Sequence, residues 1–187
     1  MSLAGEHQIG NAALAIKVVE IISDKYPELE GDIRKGLGAV RWPGRLEMVK
    51  ENPPILIDGA HNPPAAMALS AHLQKLLGLK YRRIIMVAGV MADKDIEGIL
   101  QPLLPLASET VFASPAYGRA ASAKKLGDVA AALGYASKKA ESVAGALGMA
   151  ESLYQPGDLI VVTGSFYTLG EAKEALGQKG ILAGLRE

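Results

Sequence analysis

Apolar positions fall in two rhythms along this chain, and the change from one to the other divides it. In residues 6–22, EHQIGNAALAIKVVEII, the residues Ile9, Ala12, Ala13, Ile16, Val19 and Ile22 follow one another at helical steps. That spacing predicts an amphipathic helix from about Gly5 to Ile22. SDKYPELEGD breaks the pattern, and IRKGLGAV offers a short second helix ended by glycines. RWPGRLEMV then turns at Pro43-Gly44 and enters a strand, Leu46 to Val49. The expected division is an N-terminal helical segment, 1–40, and a compact domain, 41–187.

Beyond the turn, strand and helix alternate. Strand Ile55–Asp58 leads to helix Pro63–Leu77, and strand Ile84–Val90 to a helix near Ile96–Leu103. Strand Thr110–Ala113 precedes helices near Ala123–Leu133 and Val143–Leu153, and strand Leu159–Thr163 precedes a helix near Leu169–Leu176. RIIMVAGV and DLIVVTGS are almost continuous apolar runs, as strands buried on both faces should be. Repeated β-then-α spacing calls for right-handed crossovers. The expected class is α/β, a Rossmann-like fold with a mostly parallel sheet flanked by helices.

Composition narrows the partners. At 187 residues the chain can bury one domain with an appendage. Twenty basic residues balance twenty acidic ones, so no net field draws in nucleic acid or an anionic membrane. No apolar run reaches the roughly 18–20 residues that cross a bilayer. Met1-Ser2-Leu3 begins no basic stretch followed by an apolar core, so no secretory signal is expected. The absence of cysteine excludes disulfides, thiolate metal sites and a cysteine nucleophile, and suits a cytoplasmic protein. A helix this early needs something to pack on, so a fragment of a longer chain is expected.

The residues just after the strands of a parallel sheet share one edge, where ligands bind. Here those stretches are DGAHNPP, AGVMADKD, SPAYGRA and TGSFY. They supply Asp58, His61, Asn62, Asp93, Lys94, Asp95, Arg119, Ser165 and Tyr167, a mixture suited to an anionic small molecule. Asn62 before Pro63 reads as a helix cap with proline in the first turn, leaving backbone N–H groups for a carboxylate or phosphate. Ser165 in TGS has the same disposition. Both are equally good helix starts with nothing bound. His61 has no cysteine or second histidine at ligand spacing, so no metal ligands are expected in this chain. There is no G-x-x-x-x-G-K-[ST] phosphate loop, and GLGAV at 36–40 lacks the strand and third glycine of a dinucleotide fingerprint. On residues alone, the reading stops at a Rossmann-like domain that binds a small anion.

Four stretches in order carry it further: GEHQIGNAALAI, RWPGRLEMV, ILIDGAHNP with DKD downstream, and VVTGSFYTLGE. Together they resemble the C-terminal part of the folylpolyglutamate synthase/dihydrofolate synthase family, within the Mur-ligase superfamily, over nearly the whole chain. The resemblance implies the last helix of a central ATPase domain and linker in 1–40, and the C-terminal glutamate-ligase domain in 41–187. The phosphate loop and most Mg2+ ligands would then lie in a preceding ATPase domain. The implied reaction adds L-glutamate to dihydropteroate or a folate, using ATP, through an acyl phosphate; a monomer is expected. The fragment alone is expected to be inactive.

Roles follow position by position. Asn11 matches an asparagine at the adenine edge, Arg45 an arginine on the ATP phosphates, and Asp58 an aspartate at the ribose. His61 is expected near the acceptor glutamate or the transferred phosphoryl group. Lys94 and Ser165 match positions that hold the incoming amino acid's carboxylates. GEHQIGN departs from the superfamily's frequent His-Asn by placing Gln8 after His7. Competing readings are a free-standing amino-acid or nucleotide binding module and another Mur-type ligase; DGAHNP argues against the latter. An oxidoreductase is disfavoured by the missing glycine fingerprint.

Overall fold

The computed structural model describes residue 5, residues 7–27 and residues 33–178; the remainder of the expected 1–40 and 41–187 segments lies outside the described residues. Six strands form one sheet: β1 (Glu47–Glu51), β2 (Pro54–Asp58), β3 (Arg83–Ala88), β4 (Ala107–Phe112), β5 (Lys138–Lys139) and β6 (Asp158–Thr163). Their order is β1-β2-β6-β3-β4-β5. Every pairing is parallel except β1 with β2. The helices described are α1 (His7–Ser23), α2 (Ile33–Ala39), α3 (Pro63–Leu76), α4 (Ile96–Leu100), α5 (Ala123–Ala132), α6 (Val143–Leu153) and α7 (Phe166–Ala175).

The sheet is the middle of three layers because its strands are apolar on both faces. Leu56, Met86, Leu159 and Val161 face α3, α4 and α5 through Leu69, Leu73, Ile99, Leu100 and Leu126. Ile57, Val87, Ile160 and Val162 face α6 and α7 through Val143, Leu147, Leu169 and Ala172. All six residues of β6 are buried. Each such aliphatic side chain contributes about 1.5–3 kcal/mol. Serine and asparagine begin the helices as caps: Asn62 accepts from Ala65, Ser122 from Lys125, Ser142 from Gly145 and Ser165 from Thr168.

The expected α/β sheet is present, with local departures. β1 turns back on β2 as an antiparallel hairpin, a direction that four residues of pattern do not encode. β5 is two lysines and has no apolar signal. α7 begins at Phe166 rather than Leu169, because the Ser165 cap acts before the aliphatic run starts. α4 stops at Leu100, and a single 3-10 turn, Leu104–Leu106, follows. On α1 the predicted stripe is only partly covered, with Ile9 66% and Ile22 38% exposed, and Leu14 and Ile21 beside it are also exposed. A helix apolar nearly all round does not reveal from periodicity which side it packs.

Topology sets the position of the site. From β2 the chain passes through α3 to β3, skipping a place that β6 fills last. After β2 and β3 it leaves toward α3 and α4, whereas after β6 it leaves toward α7 on the other face. The strand ends diverge there, and a crevice opens above β6. Asp58, Thr163, Ala88 and Phe112 are in register across it.

Candidate functional site

Asp58, 5% exposed at the end of β2, is a structural clamp as well as a candidate ligand. Its Oδ1 accepts the Ala60 N–H at 2.9 Å, and its Oδ2 accepts the Leu46 N–H at 3.0 Å. Leu46 has φ +45, a left-handed conformation that costs a non-glycine residue roughly 1–2 kcal/mol. The carboxylate and the buried Leu46 side chain hold that strained turn, and the turn presents Arg45. Glu47 fastens it from the other side, accepting from Gly44 N–H at 2.6 Å and from Lys173 Nζ of α7 at 2.8 Å.

Phe166, the first residue of α7, organises the centre. Its ring packs on the bare backbone of Gly44 and Gly59. Arg45 lies over one side, with Cζ 5.2 Å from the ring centroid. The His61 ring lies tilted at 5.8 Å. His61 Nδ1 is 2.7 Å from the Gly59 carbonyl oxygen, which can only accept, so Nδ1 carries the proton. In the neutral ring, Nε2 is then the acceptor, on a half-exposed side chain at the crevice.

A cavity of about 560 Å³ opens on the α3 side of this centre, between the N-terminal helices and the sheet edge. It is lined by Gln8, Asn11, Trp42, Arg45, Asp58 and Leu69 among others. Three sequence-predicted residues, Asn11, Arg45 and Asp58, therefore line one cavity. Asn11 Nδ2 donates to Gln8 Oε1 at 3.0 Å, so the residue that departs from the family pattern orients the asparagine.

His61, Ser165 and Lys94 do not line that cavity. Ser165 is buried and its hydroxyl is engaged: Oγ accepts the Thr168 N–H at 3.1 Å and lies 2.8 Å from Thr168 Oγ1. Thr168 Oγ1 donates to the Gly89 carbonyl, so the Ser165 hydroxyl proton goes to Thr168. Lys94 stands on the loop after β3, paired with Asp93 at 3.2 Å. A hydrogen bond from Lys94 holds the Asp93 carboxyl below its ordinary value. Among the described residues no three His, Asp or Glu side chains are grouped so as to hold a metal ion between them.

Sequence reasoning did not single out Phe166, Glu47, Lys173 or Trp42. The available signal for Phe166 was a pair of glycines, Gly44 and Gly59, in two motifs that need contact with a third.

Fold and site define a Rossmann-like domain with a ligand-sized cavity and a polar crevice at its strand ends. The chain belongs to the Mur ligase family, as its glutamate ligase domain, whose family model matches residues 44–166. Its similarity is to enzymes of folate metabolism in particular. It is 34% identical to the dihydrofolate synthase/folylpolyglutamate synthase of Mycobacterium tuberculosis, over 95% of this chain and 40% of that protein. The crystal structure of the M. tuberculosis folylpolyglutamate synthase with ADP and AMPPCP superposes with a TM-score of 0.83, at 34% identity, covering 96% of this chain and 42% of that one. A bifunctional folylpolyglutamate synthase/dihydrofolate synthase with Mn, AMPPNP and L-glutamate bound gives 0.71 at 32% identity, over 80% of this chain and 35% of that one. The chain spans about 40% of the length of the curated relatives it matches.

Proposed function

We propose that this chain supplies the glutamate-ligase half of an ATP-dependent ligase that joins L-glutamate to dihydropteroate or a folate. The observation that carries the reading is the single cavity lined by Asn11, Arg45 and Asp58, with Arg45 and His61 both against the Phe166 ring. In this reading 1–40 closes an ATPase domain, and the exposed apolar residues of α1, among them Ile9, Leu14 and Ile21, pack on it. That domain provides the phosphate loop and the Mg2+ ligands. The protein acts in the cytoplasm as a monomer, and the chain is inactive by itself.

The residues divide the work. Asn11, set by Gln8, reads the adenine edge. Arg45 places a permanent charge on the phosphates, where charge spreads in the transition state. Asp58 turns its carboxylate, an acceptor with two oxygens, to the ribose hydroxyls. A carboxylate of the folate or pteroate attacks the γ-phosphorus, ADP leaves, and the glutamate amine then displaces phosphate from the acyl phosphate. His61 Nε2 lies at the crevice where that amine must shed a proton. Lys94 contributes a point charge for a glutamate carboxylate. Ser165 contributes through the helix start that it caps, because its own proton is committed to Thr168.

The test is a chimera in which this chain replaces the matched C-terminal part of the M. tuberculosis relative. Labelled L-glutamate should be incorporated in an ATP-dependent manner, and His61→Ala should abolish incorporation. A chimera that folds and binds ADP but adds no glutamate would sink the reading.

A further inference from the structure

Arg119 is a charged residue of the strand-end crevice to which the roles above give no task. It sits on the loop after β4, and that loop is docked on the first two turns of α7. Ala116 N–H donates to Glu171 Oε1 at 2.6 Å, and the Tyr117 and Tyr167 rings stack at 3.8 Å, inclined by 15°. The Arg119 guanidinium lies over Tyr117, with Cζ 5.4 Å from the centroid, and its Nη2 makes a long contact of 3.5 Å to the phenol oxygen. Hydrogen bonds from Tyr167 and then Arg119 hold the Tyr117 phenol below its ordinary value, marking its oxygen as the shared acceptor. The Arg119 carbonyl accepts from Ala92 N–H at 2.7 Å, which ties this loop to the one carrying Asp93 and Lys94.

Two features separate this from an ordinary surface arginine. No carboxylate lies within ion-pair distance of Arg119 among the described residues; its pKa is raised first by the hydrogen bond to Tyr117 and less by Asp93. The charge is therefore aimed by aromatic rings and left unneutralised by a salt bridge. The stacked pair also grows from Tyr167, the residue next to Phe166, so Arg119 is geared to the same helix start as the centre of the site. β4, whose following loop carries Arg119, is three strand spacings, or about 14 Å, from β2, which carries Asp58. Arg119 does not line the cavity of Asn11 and Asp58, and its loop is tied instead to the loop after β3 and to the start of α7.

We propose that Arg119, braced by the Tyr117–Tyr167 stack, is the specificity-determining residue for the side-chain carboxylate of the incoming amino acid. This rests on the ligase reading above and deepens it. A planar guanidinium accepts a carboxylate through two parallel N–H···O bonds, which an amide of the same shape cannot match. Tyr117 and Tyr167 are positioning residues, limiting the guanidinium's freedom before the ligand arrives.

The experiment is an NMR titration of the isotopically labelled chain with L-glutamate, L-glutamine and, separately, ADP. Glutamate should shift the Arg119 side-chain Nε–H and the amides of Tyr117 and Tyr167, and glutamine should not. Arg119→Gln should weaken glutamate at least fivefold and leave glutamine unchanged, while Tyr117→Phe should weaken glutamate by less. Glutamate shifts near His61 and Ser165 that survive Arg119→Gln at unchanged affinity would overturn the assignment. So would the absence of any glutamate shift at the strand ends. The ADP arm reads the ligase reading independently, because shifts at Asn11 and Asp58 would sustain it whatever glutamate does.

Discussion

Phe166 is seated directly on Gly59: a Cβ at residue 59 would lie 2.8 Å from the ring's Cζ and 2.9 Å from its Cε1. The DGAHNP and GSFYTLGE motifs, more than a hundred positions apart, are therefore one surface. The contact also fixes the ring that separates Arg45 from His61.

Gly59→Ala should destabilise the domain by about 1–3 kcal/mol through overpacking. Adding Phe166→Leu should recover part of that loss. Chemical denaturation of the two single variants and the double variant checks it; strictly additive losses would show that the ring is not what the methyl group meets.

Glu47 and Lys173 form an ion pair in which the lysine side chain is 8% exposed and the glutamate 31%. Removing the carboxylate strands a buried ammonium, so Glu47→Ala should cost about 2–4 kcal/mol. Lys173→Met in the same background should restore at least half of it. Equal midpoints for Glu47→Ala and the double variant would argue against the pair as the cause.

Asp158 should govern part of the acid limb of stability. Burial alone would raise its pKa, but the hydrogen bond from Arg83, the Gln155 N–H and the nearby arginines outweigh it and hold the carboxyl below its ordinary value. A depressed carboxylate contributes stability in full above its unfolded value, near 3.9, and loses it as the pH falls through the folded value. Asp158→Asn should therefore flatten the stability–pH curve below about pH 4. At neutral pH it should lower stability by about 2–3 kcal/mol, less than for a fully buried pair because Arg83 is partly exposed. Unfolding followed from pH 3 to 7 decides it.

Thr163 ends β6 with a buried hydroxyl that has no hydrogen-bond partner among the described residues. Thr163→Val keeps the shape and removes the stranded group, so it should stabilise by about 1 kcal/mol. Thermal unfolding should show that as a rise of about 2–4 °C. A fall in midpoint would mean that the hydroxyl is paired in solution.

What the sequence showed of the fold was what burial and capping write locally. RIIMVA and DLIVVT had to be central strands because both of their faces are apolar, and Asn62 marked the start of its helix. Lys138–Lys139 left no trace, since two charged residues at an edge carry no period. Asp58 was legible as a polar residue at a strand end, whereas Asn11 and Arg45 were reached only through the resemblance of their motifs to a known family. Phe166 was not, because its role depends on the absence of side chains at Gly44 and Gly59. Nor could the sequence show that Ser165's proton belongs to Thr168, which depends on Gly89 from a different strand.

The two rims of the sheet bear on how copies of this chain meet. An open sheet offers unpaired backbone groups along its outer strands, and a long flat rim would recruit another molecule's strand. Here one rim is β5, only Lys138 and Lys139, and the other is β1, Glu-Met-Val-Lys-Glu, irregular between Met48 and Lys50. Shortness, charge and a kink each oppose edge-to-edge pairing. Lamination into larger sheets is thereby discouraged at both ends, and the exposed apolar side chains of α1, among them Ile9, Leu14 and Ile21, stand on a helix and not on a strand that could seed it.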